Sequence, residues 1–293
     1  MHLWAISDLH AGFPENRQAI REMRSYPEDW LVVAGDVGET VDHLDWTLGE
    51  LGRRFAKIFW VPGNHDLWSI PGDTSGRGVD RYKRLVDVCR RRGCITPEDD
   101  FVSWRGATGT SLIVPIFALY DYSFRPDCIA FERAVEWAAE TGVVASDEIL
   151  LHTDPFGTFA DWCHSRVQET ESRLEEALRN HEGTTILVSH FPLRYCDAVL
   201  PSIPRFSIWC GTRLTEDWIR RFRARICVTG HLHIRSTKIE GECRYEEVSL
   251  GYPTDWERHL GLDAYLRLID TAGLCQDRGP HVPPTRVTPR SPW

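Results

Sequence analysis

The chain has 293 residues, 42% of them hydrophobic, with twelve Trp and twelve Phe; that is enough to bury a large core, as one big α/β domain or two small ones. A formal net charge of −9 speaks against wholesale nucleic-acid binding, which draws its affinity from a basic surface facing phosphates. Nine cysteines scattered singly from Cys89 to Cys275, with no C-x-x-C pair, argue against a disulfide framework and a structural zinc site and suit a reducing cytoplasm.

In chain order, the first strand is expected at Leu3–Ser7, with no basic segment and apolar run before it that would read as a secretion signal. A helix over Asn16–Ser25 leads to a strand at Trp30–Ala34, and a helix over Asp42–Phe55 to a strand at Lys57–Val61. The Gly-rich polar stretch Asp73–Asp80 reads as a mobile lid or an inert loop. A helix over Arg81–Arg92 and a strand at Ser111–Phe117 follow. The run SLIVPIFALY around that strand is broken by Pro115 and falls short of the ~20 residues needed to cross a bilayer.

Helices are expected at Cys128–Thr141 and Thr158–His181; the second carries Phe159, Trp162, Val167, Leu174 and Leu178 at mostly helical spacing and should pack one face on the sheet. Then come a strand at Thr185–Ser189, a helix at Thr215–Phe222, a strand at Arg225–Thr229 and the pair Ile234–Glu240 and Cys243–Leu250. Strands alternating with helical segments define α/β architecture, expected as one catalytic domain over residues 1–272 with a disordered tail at 273–293. Arg90–Arg92 and the group Arg220, Arg221, Arg223 and Arg225 read as solvated helix faces or as patches for an acidic partner.

The ionisable residues fall at strand ends. Asp8 and His10 follow the first strand, Asp36 the second, Asn64, His65 and Asp66 the third, His190 the strand TILVS, and His231 with His233 the strand RICVT. In open α/β sheets these C-terminal ends line one crevice, so residues distant in sequence can converge there. Any one of them alone reads equally as a structural His or a capping Asp. All seven of Asp8, His10, Asp36, Asn64, His190, His231 and His233 together point to metal. Gly35, Gly63 and Gly230 stand next to them or nearly so, where a tight turn or close backbone approach is needed.

The series Asp8-Leu9-His10, Gly35-Asp36, Gly63-Asn64-His65-Asp66, His190 and Gly230-His231-Leu232-His233 resembles the five-block signature of calcineurin-like metallophosphoesterases. The resemblance implies a double β-sheet sandwich flanked by helices, with two metals. Asp8, His10, Asp36 and His233 would take the first, and Asp36, Asn64, His190 and His231 the second, Asp36 bridging. A bridging carboxylate suits two cations about 3.5–4 Å apart, which together activate water and polarise a phosphoryl group. Imidazole, carboxylate and amide donors without thiolate favour Mn, Fe or Zn; the resemblance points to Mn with Fe. In the same reading His65 protonates the leaving oxygen or stabilises phosphoryl charge, and Asp66 orients it.

Further stretches, Asp29–Asp36, Arg54–Lys57, Leu119–Phe124, Phe206–Thr212 and Glu246–Pro253, are similar to a bacterial subgroup, the 4'-phosphopantetheinyl hydrolases. That resemblance implies hydrolysis of the phosphodiester between a phosphopantetheine arm and an acyl or peptidyl carrier protein. Tyr120, Tyr122, Phe124, Arg194, Trp209 and Arg213 would form an aromatic and cationic mouth, or else Tyr122, Phe124 and Trp209 are buried where loops pack. A phosphodiesterase or phosphatase of nucleotides or other small molecules is the alternative activity. A metal-free scaffold should have lost ligands, and none is lost. No membrane association is expected.

Overall fold

The computed structural model describes residues 1–106 and 109–269, so the tail expected at 273–293 lies outside the described residues. The described residues form ten strands: β1 Leu3–Ile6, β2 Tyr26–Val33, β3 Phe55–Trp60, β4 Val102–Gly106, β5 Gly109–Pro115, β6 Thr184–Val188, β7 Ala224–Thr229, β8 Ser236–Glu240, β9 Cys243–Glu247 and β10 Arg267–Leu268. The helices are α1 Pro14–Glu22, α2 Val41–Gly52, α3 Asn64–Leu67, α4 Gly78–Arg91, α5 Ala134–Ala139, α6 Asp147–Leu150, α7 Phe159–Arg179, α8 Tyr195–Ala198 and α9 Trp218–Arg221. Among the described residues no helix is long and apolar enough to cross a membrane.

The strands form two sheets, ordered β10-β1-β2-β3 and β4-β5-β6-β7-β9-β8. β1, β2 and β3 run parallel, as do β5, β6, β7 and β9, while β10, β4 and β8 add antiparallel edges. The period of two along each strand sorts its side chains between two cores. Leu3, Ala5, Val32, Ala34, Phe59 and Val61 from the first sheet meet Trp104, Ile113, Ile186, Val188 and Val228 from the second. The alternate residues, among them Ile6, Leu31, Val33, Ile58, Trp60, Leu112, Val114 and Leu187, pack on the outer helices. Strands buried on both faces read as unbroken apolar runs, which made the central ones visible in the sequence. The result is the expected sandwich.

Boundaries moved where local chemistry decided them. Thr40 caps α2 by accepting from the His43 amide at 3.1 Å, and Thr158 caps α7 by accepting from the Asp161 amide at 3.1 Å. The long helix expected at 128–141 is a 3-10 turn at Phe131–Arg133 followed by α5, with only Ala134 and Ala138 of the helix buried. So small an apolar face supports little helix. The helix expected at 215–222 shortens to α9 for a similar reason, only Trp218 being buried. β4 and β10 were not expected. β4 is half exposed and held by pairing with β5, its Trp104 packing edge-on against Trp30 at 5.0 Å; β10 is two residues long.

Residues 73–80 are tied down by Arg81, whose fully buried guanidinium donates to Asp73 Oδ2 at 2.6 Å, Ser75 Oγ at 2.8 Å, Asp66 O at 2.7 Å and Glu39 O at 2.8 Å. The arginine clusters are largely consumed locally: Arg90 pairs with Asp99, Arg92 with Asp45, and Arg221 with Glu171 and Glu175.

Phe59, fully buried between the sheets, sets a test of the sandwich. Phe59→Ala should lower unfolding stability by about 3–5 kcal/mol through lost transfer and cavity terms, seen as a lower urea midpoint at unchanged slope.

Candidate metal centre

The two sheets are stitched where the site lies. Ser7, just past β1, bridges Ser249, just past β9: the Ser7 amide donates to Val248 O at 3.1 Å and the Leu250 amide to Ser7 O at 2.8 Å. Around this seam the chain leaves five strands by sharp turns. Asp8, His10, Asp36, His231 and His233 have φ of 54°, 40°, 51°, 74° and 53°, left-handed values that cost a non-glycine residue roughly 1–2 kcal/mol each. Five of the seven expected ligands are thus held in strained backbone, each turned into the crevice.

Neighbouring glycines make this approach sterically feasible. A Cβ on Gly63 would lie 2.0 Å from Asp36 Oδ1, and one on Gly230 2.0 Å from Ser7 Oγ and 2.5 Å from Asp8 Oδ2. Either substitution would displace a carboxylate.

The seven side chains form two groups. In the first, His233 Nε2 lies 3.1 Å from Asp8 Oδ1 and 3.3 Å from His10 Nε2. In the second, Asn64 Oδ1 lies 3.2 Å from both His190 Nε2 and His231 Nδ1, and Asp36 Oδ2 is 3.5 Å from His190 Nε2. Asp36 joins them: its carboxylate lies within ligand reach of Asp8 and His190 together and of His10 and His65 together. All seven are buried or nearly so.

Outer partners fix which atom faces inward. His190 Nδ1 sits 2.9 Å from Ala34 O, and His233 Nδ1 3.0 Å from Asp255 Oδ2, so in the neutral rings both Nε2 atoms present lone pairs. The Asn64 amide nitrogen donates to Asp147 Oδ1 at 2.9 Å, which turns Oδ1 toward the histidines. With neutral imidazoles, His190, His233 and Asn64 therefore turn acceptor atoms inward beside the Asp8 and Asp36 carboxylates.

Electrostatics say the same. Burial alone would raise the Asp8 and Asp36 carboxyls, but His233 beside Asp8 and His190 with His65 beside Asp36 hold both below the usual range. Burial would likewise lower the histidines, yet Asp36 lifts His190 to about 9 and Asp8 with Asp255 lifts His233 to about 10. His231, buried and facing His190, falls to about 3. A field that retains protons on two buried imidazoles is one that divalent cations satisfy with every imidazole neutral. The donor set fits two such ions, making this a binuclear metal site.

His65 does not meet Asp66. The Asp66 carboxylate accepts from the backbone amides of Val37 at 3.1 Å, Gly38 at 3.3 Å and Gly63 at 2.9 Å, clamping the turn after β2 to the turn after β3. Among the described residues its carboxylate bonds these three amides and not the His65 ring, which corrects its expected orienting role. Glu39 stands there instead, its Oε1 3.5 Å from His65 Nδ1 and 3.9 Å from His10 Nδ1, its Oε2 3.3 Å from His43 Nδ1. Trp68 packs on the His65 ring at 3.6 Å, and Tyr252 stacks on His10 at 4.5 Å.

The expected mouth is also corrected. Tyr120 and Trp209 are fully buried and Tyr122 and Phe124 nearly so, and the polar ends of the tyrosines and of Trp209 hold carboxylates: Tyr120 donates to Asp147, Tyr122 and Trp209 to Glu148. Arg194 is spent on Asp197 and Glu240 and lies over the Tyr245 ring at 3.9 Å, while Arg213 donates to Ser123 O and lies over Tyr195. Neither bonds a member of the metal cluster. Sequence reasoning missed Glu39, Asp147 and Asp255. Glu39 follows Asp36 by three residues just before a helix, a spacing that could have marked it; Asp147 opens the four-residue helix α6 and Asp255 lies in a loop, neither with a local signal.

This chain belongs to the calcineurin-like phosphoesterase family, whose model matches residues 1–235. It is 47% identical over 263 residues to the acyl-carrier-protein phosphodiesterase PptH of Mycobacterium tuberculosis, covering 87% of this chain and 79% of that one. The crystal structure of the phosphopantetheinyl hydrolase PptH from the same organism superposes with a TM-score of 0.83 at 46% identity, over 92% of this chain and 95% of the other.

Asp147 accepts from Asn64, from Trp68 Nε1 at 2.6 Å and from Tyr120 at 3.1 Å. Asp147→Ala should weaken metal binding by about 10–100-fold by freeing the Asn64 amide, measured by titrating metal-stripped protein, with circular dichroism reporting the fold.

Proposed function

We propose that the protein is a metal-dependent phosphodiesterase that releases 4'-phosphopantetheine from an acyl or peptidyl carrier protein. The observation that carries the chemistry is the convergence of two ligand groups sharing Asp36, with a partly buried imidazole, His65, at their edge. The likeness to an acyl-carrier-protein phosphodiesterase over most of the chain supports the substrate.

In this reading Asp8, His10, Asp36 and His233 hold one ion and Asp36, Asn64, His190 and His231 the other. Nitrogen and oxygen donors without thiolate suit Mn with Fe, zinc being the alternative. The ions supply Lewis-acid polarisation of the phosphoryl group and activation of water. The rest falls to the chain itself. His65 turns Nε2 toward the cluster, 3.9 Å from Asp36 Oδ2, with Glu39 behind Nδ1 and Trp68 against its face. Burial opposes a charge on this ring, but Asp36 and Glu39 outweigh it and raise its pKa. The proton so held at Nε2 is the one to be given to the departing serine oxygen. Glu39 orients the ring, and Trp68 and Tyr252 shield the site from bulk water.

Residues 1–272 are taken as one catalytic unit, because β10 pairs with β1 and Asp263 accepts from Tyr26 at 2.6 Å, tying the end of the described chain back to the first sheet. A cytoplasmic setting fits the free thiols, six of which are buried among the described residues.

The test is to incubate metal-loaded protein with a holo carrier protein and follow loss of the phosphopantetheine group by intact mass. Conversion to the apo form is expected; no loss on any carrier, with brisk turnover of bis-p-nitrophenyl phosphate, would point to a small-molecule substrate. His65→Asn should lower kcat by ~10²–10⁴ with both metals retained, and loss of metal in that variant would remove the acid role. Glu39→Gln should lower kcat by a smaller factor, about 10–100, read in the same assay as loss of a positioning contact.

A further inference from the structure

One carboxylate near the site has no part in holding metal. Glu148 follows Asp147 in α6 and is exposed, yet its Oε1 is pinned by two aromatic donors from separate segments, Tyr122 Oη at 2.8 Å and Trp209 Nε1 at 2.6 Å. Tyr122 holds this bond from left-handed backbone, φ 58°, a strain that persists only where surroundings enforce it. Both donors are buried, so two large aromatic residues are spent on fixing one surface oxygen pair. Among the described residues Oε2 accepts no hydrogen bond.

Its place relative to the metals follows from ring contacts. Phe206, half-buried, stacks on His231 at 5.6 Å and 19° and meets at 5.8 Å the buried Trp209 that holds Glu148, so a chain of contacts links the second metal group through Phe206 and Trp209 to Glu148. On the other side, Asp147 joins α6 to Asn64 and Trp68.

An ionised carboxylate only accepts hydrogen bonds, and it repels phosphate. Glu148 is therefore unsuited to the phosphoryl group itself, and it disfavours substrates that carry a second phosphate beside it. Its complement is a neutral arm that presents hydrogen-bond donors beside an apolar stretch for Phe206.

We propose that Glu148, with Phe206, forms a subsite for the amide- and hydroxyl-bearing arm of the ester, and that this subsite sets substrate preference. The proposal rests on the carrier-protein reading above, whose pantetheine arm has amide N–H groups, a hydroxyl and a branched alkyl segment. Glu148 Oε2 accepts from an amide or hydroxyl of the arm while Phe206 packs on its alkyl part. Tyr122 and Trp209 are positioning residues that act through Glu148.

The test uses the metal-loaded full chain turning over bis-p-nitrophenyl phosphate, inhibited separately by 4'-phosphopantetheine and by inorganic phosphate. The ratio of the two inhibition constants measures recognition of the arm apart from recognition of phosphate. In Glu148→Ala that preference should fall by at least about tenfold, the scale of a hydrogen bond to a charged group. Glu148→Gln, which keeps an acceptor oxygen and the shape, should restore part of it and serves if the alanine variant folds poorly. An unchanged ratio in both variants would overturn the subsite, even if holo carrier protein is cleaved. A falling ratio supports it, even if wild-type protein leaves every holo carrier intact, in which case the carrier reading alone fails.

Discussion

Two carboxylates, four imidazoles and an amide oxygen face one another in a buried crevice, with most of the contacts among them between 3.1 and 3.5 Å. Such a gathering of acceptors is unfavourable, since buried polar groups without donors each cost a few kcal/mol. Much of the surrounding structure restrains it. Left-handed turns aim the side chains, Gly63 and Gly230 let backbones come within contact of the carboxylates, and Ala34 O, Asp147 and Asp255 turn His190, Asn64 and His233 so that a lone pair of each faces inward.

The restraint is layered. Asp66 gathers three backbone amides and so fixes the turn bearing Asp36 to the turn bearing Asn64. Arg81 in turn grips the Asp66 and Glu39 carbonyls from behind. Burial, with Asp36 nearby, pushes the Asp66 carboxyl up to about 7 despite its amide donors. This group is structural, and its position beside His65 in sequence misleads because α3 turns consecutive side chains to different sides.

What the sequence displayed well was periodic or punctuated. Strands such as β2 and β6 are buried on both faces and show as apolar runs, and each expected ligand follows such a run directly. Long α7 showed through its stripe of Trp162, Val167 and Leu174. Short elements did not show: α3, α6 and β10 are stabilised by tertiary contacts rather than by their own pattern. The aromatic residues Tyr120, Tyr122 and Trp209 stood out for composition, but whether an aromatic lines a cavity or braces a carboxylate depends on neighbours far along the chain, Asp147 and Glu148 here. Asp255 was silent for the same reason.

The seam between Ser7 and Ser249 has a mechanical consequence. The first sheet carries Asp8, His10, Asp36 and Asn64, the second His190, His231 and His233, so in the proposed assignment each ion draws ligands from both sheets. The ions would then act as rivets through the sandwich. Sliding one sheet over the other would tear both coordination shells at once, and loading the metals would stabilise the docked layers by RT ln(1 + [M]/Kd), about 2.7 kcal/mol per site at a hundredfold excess over Kd. Cation supply and resistance to unfolding would be one quantity seen from two ends.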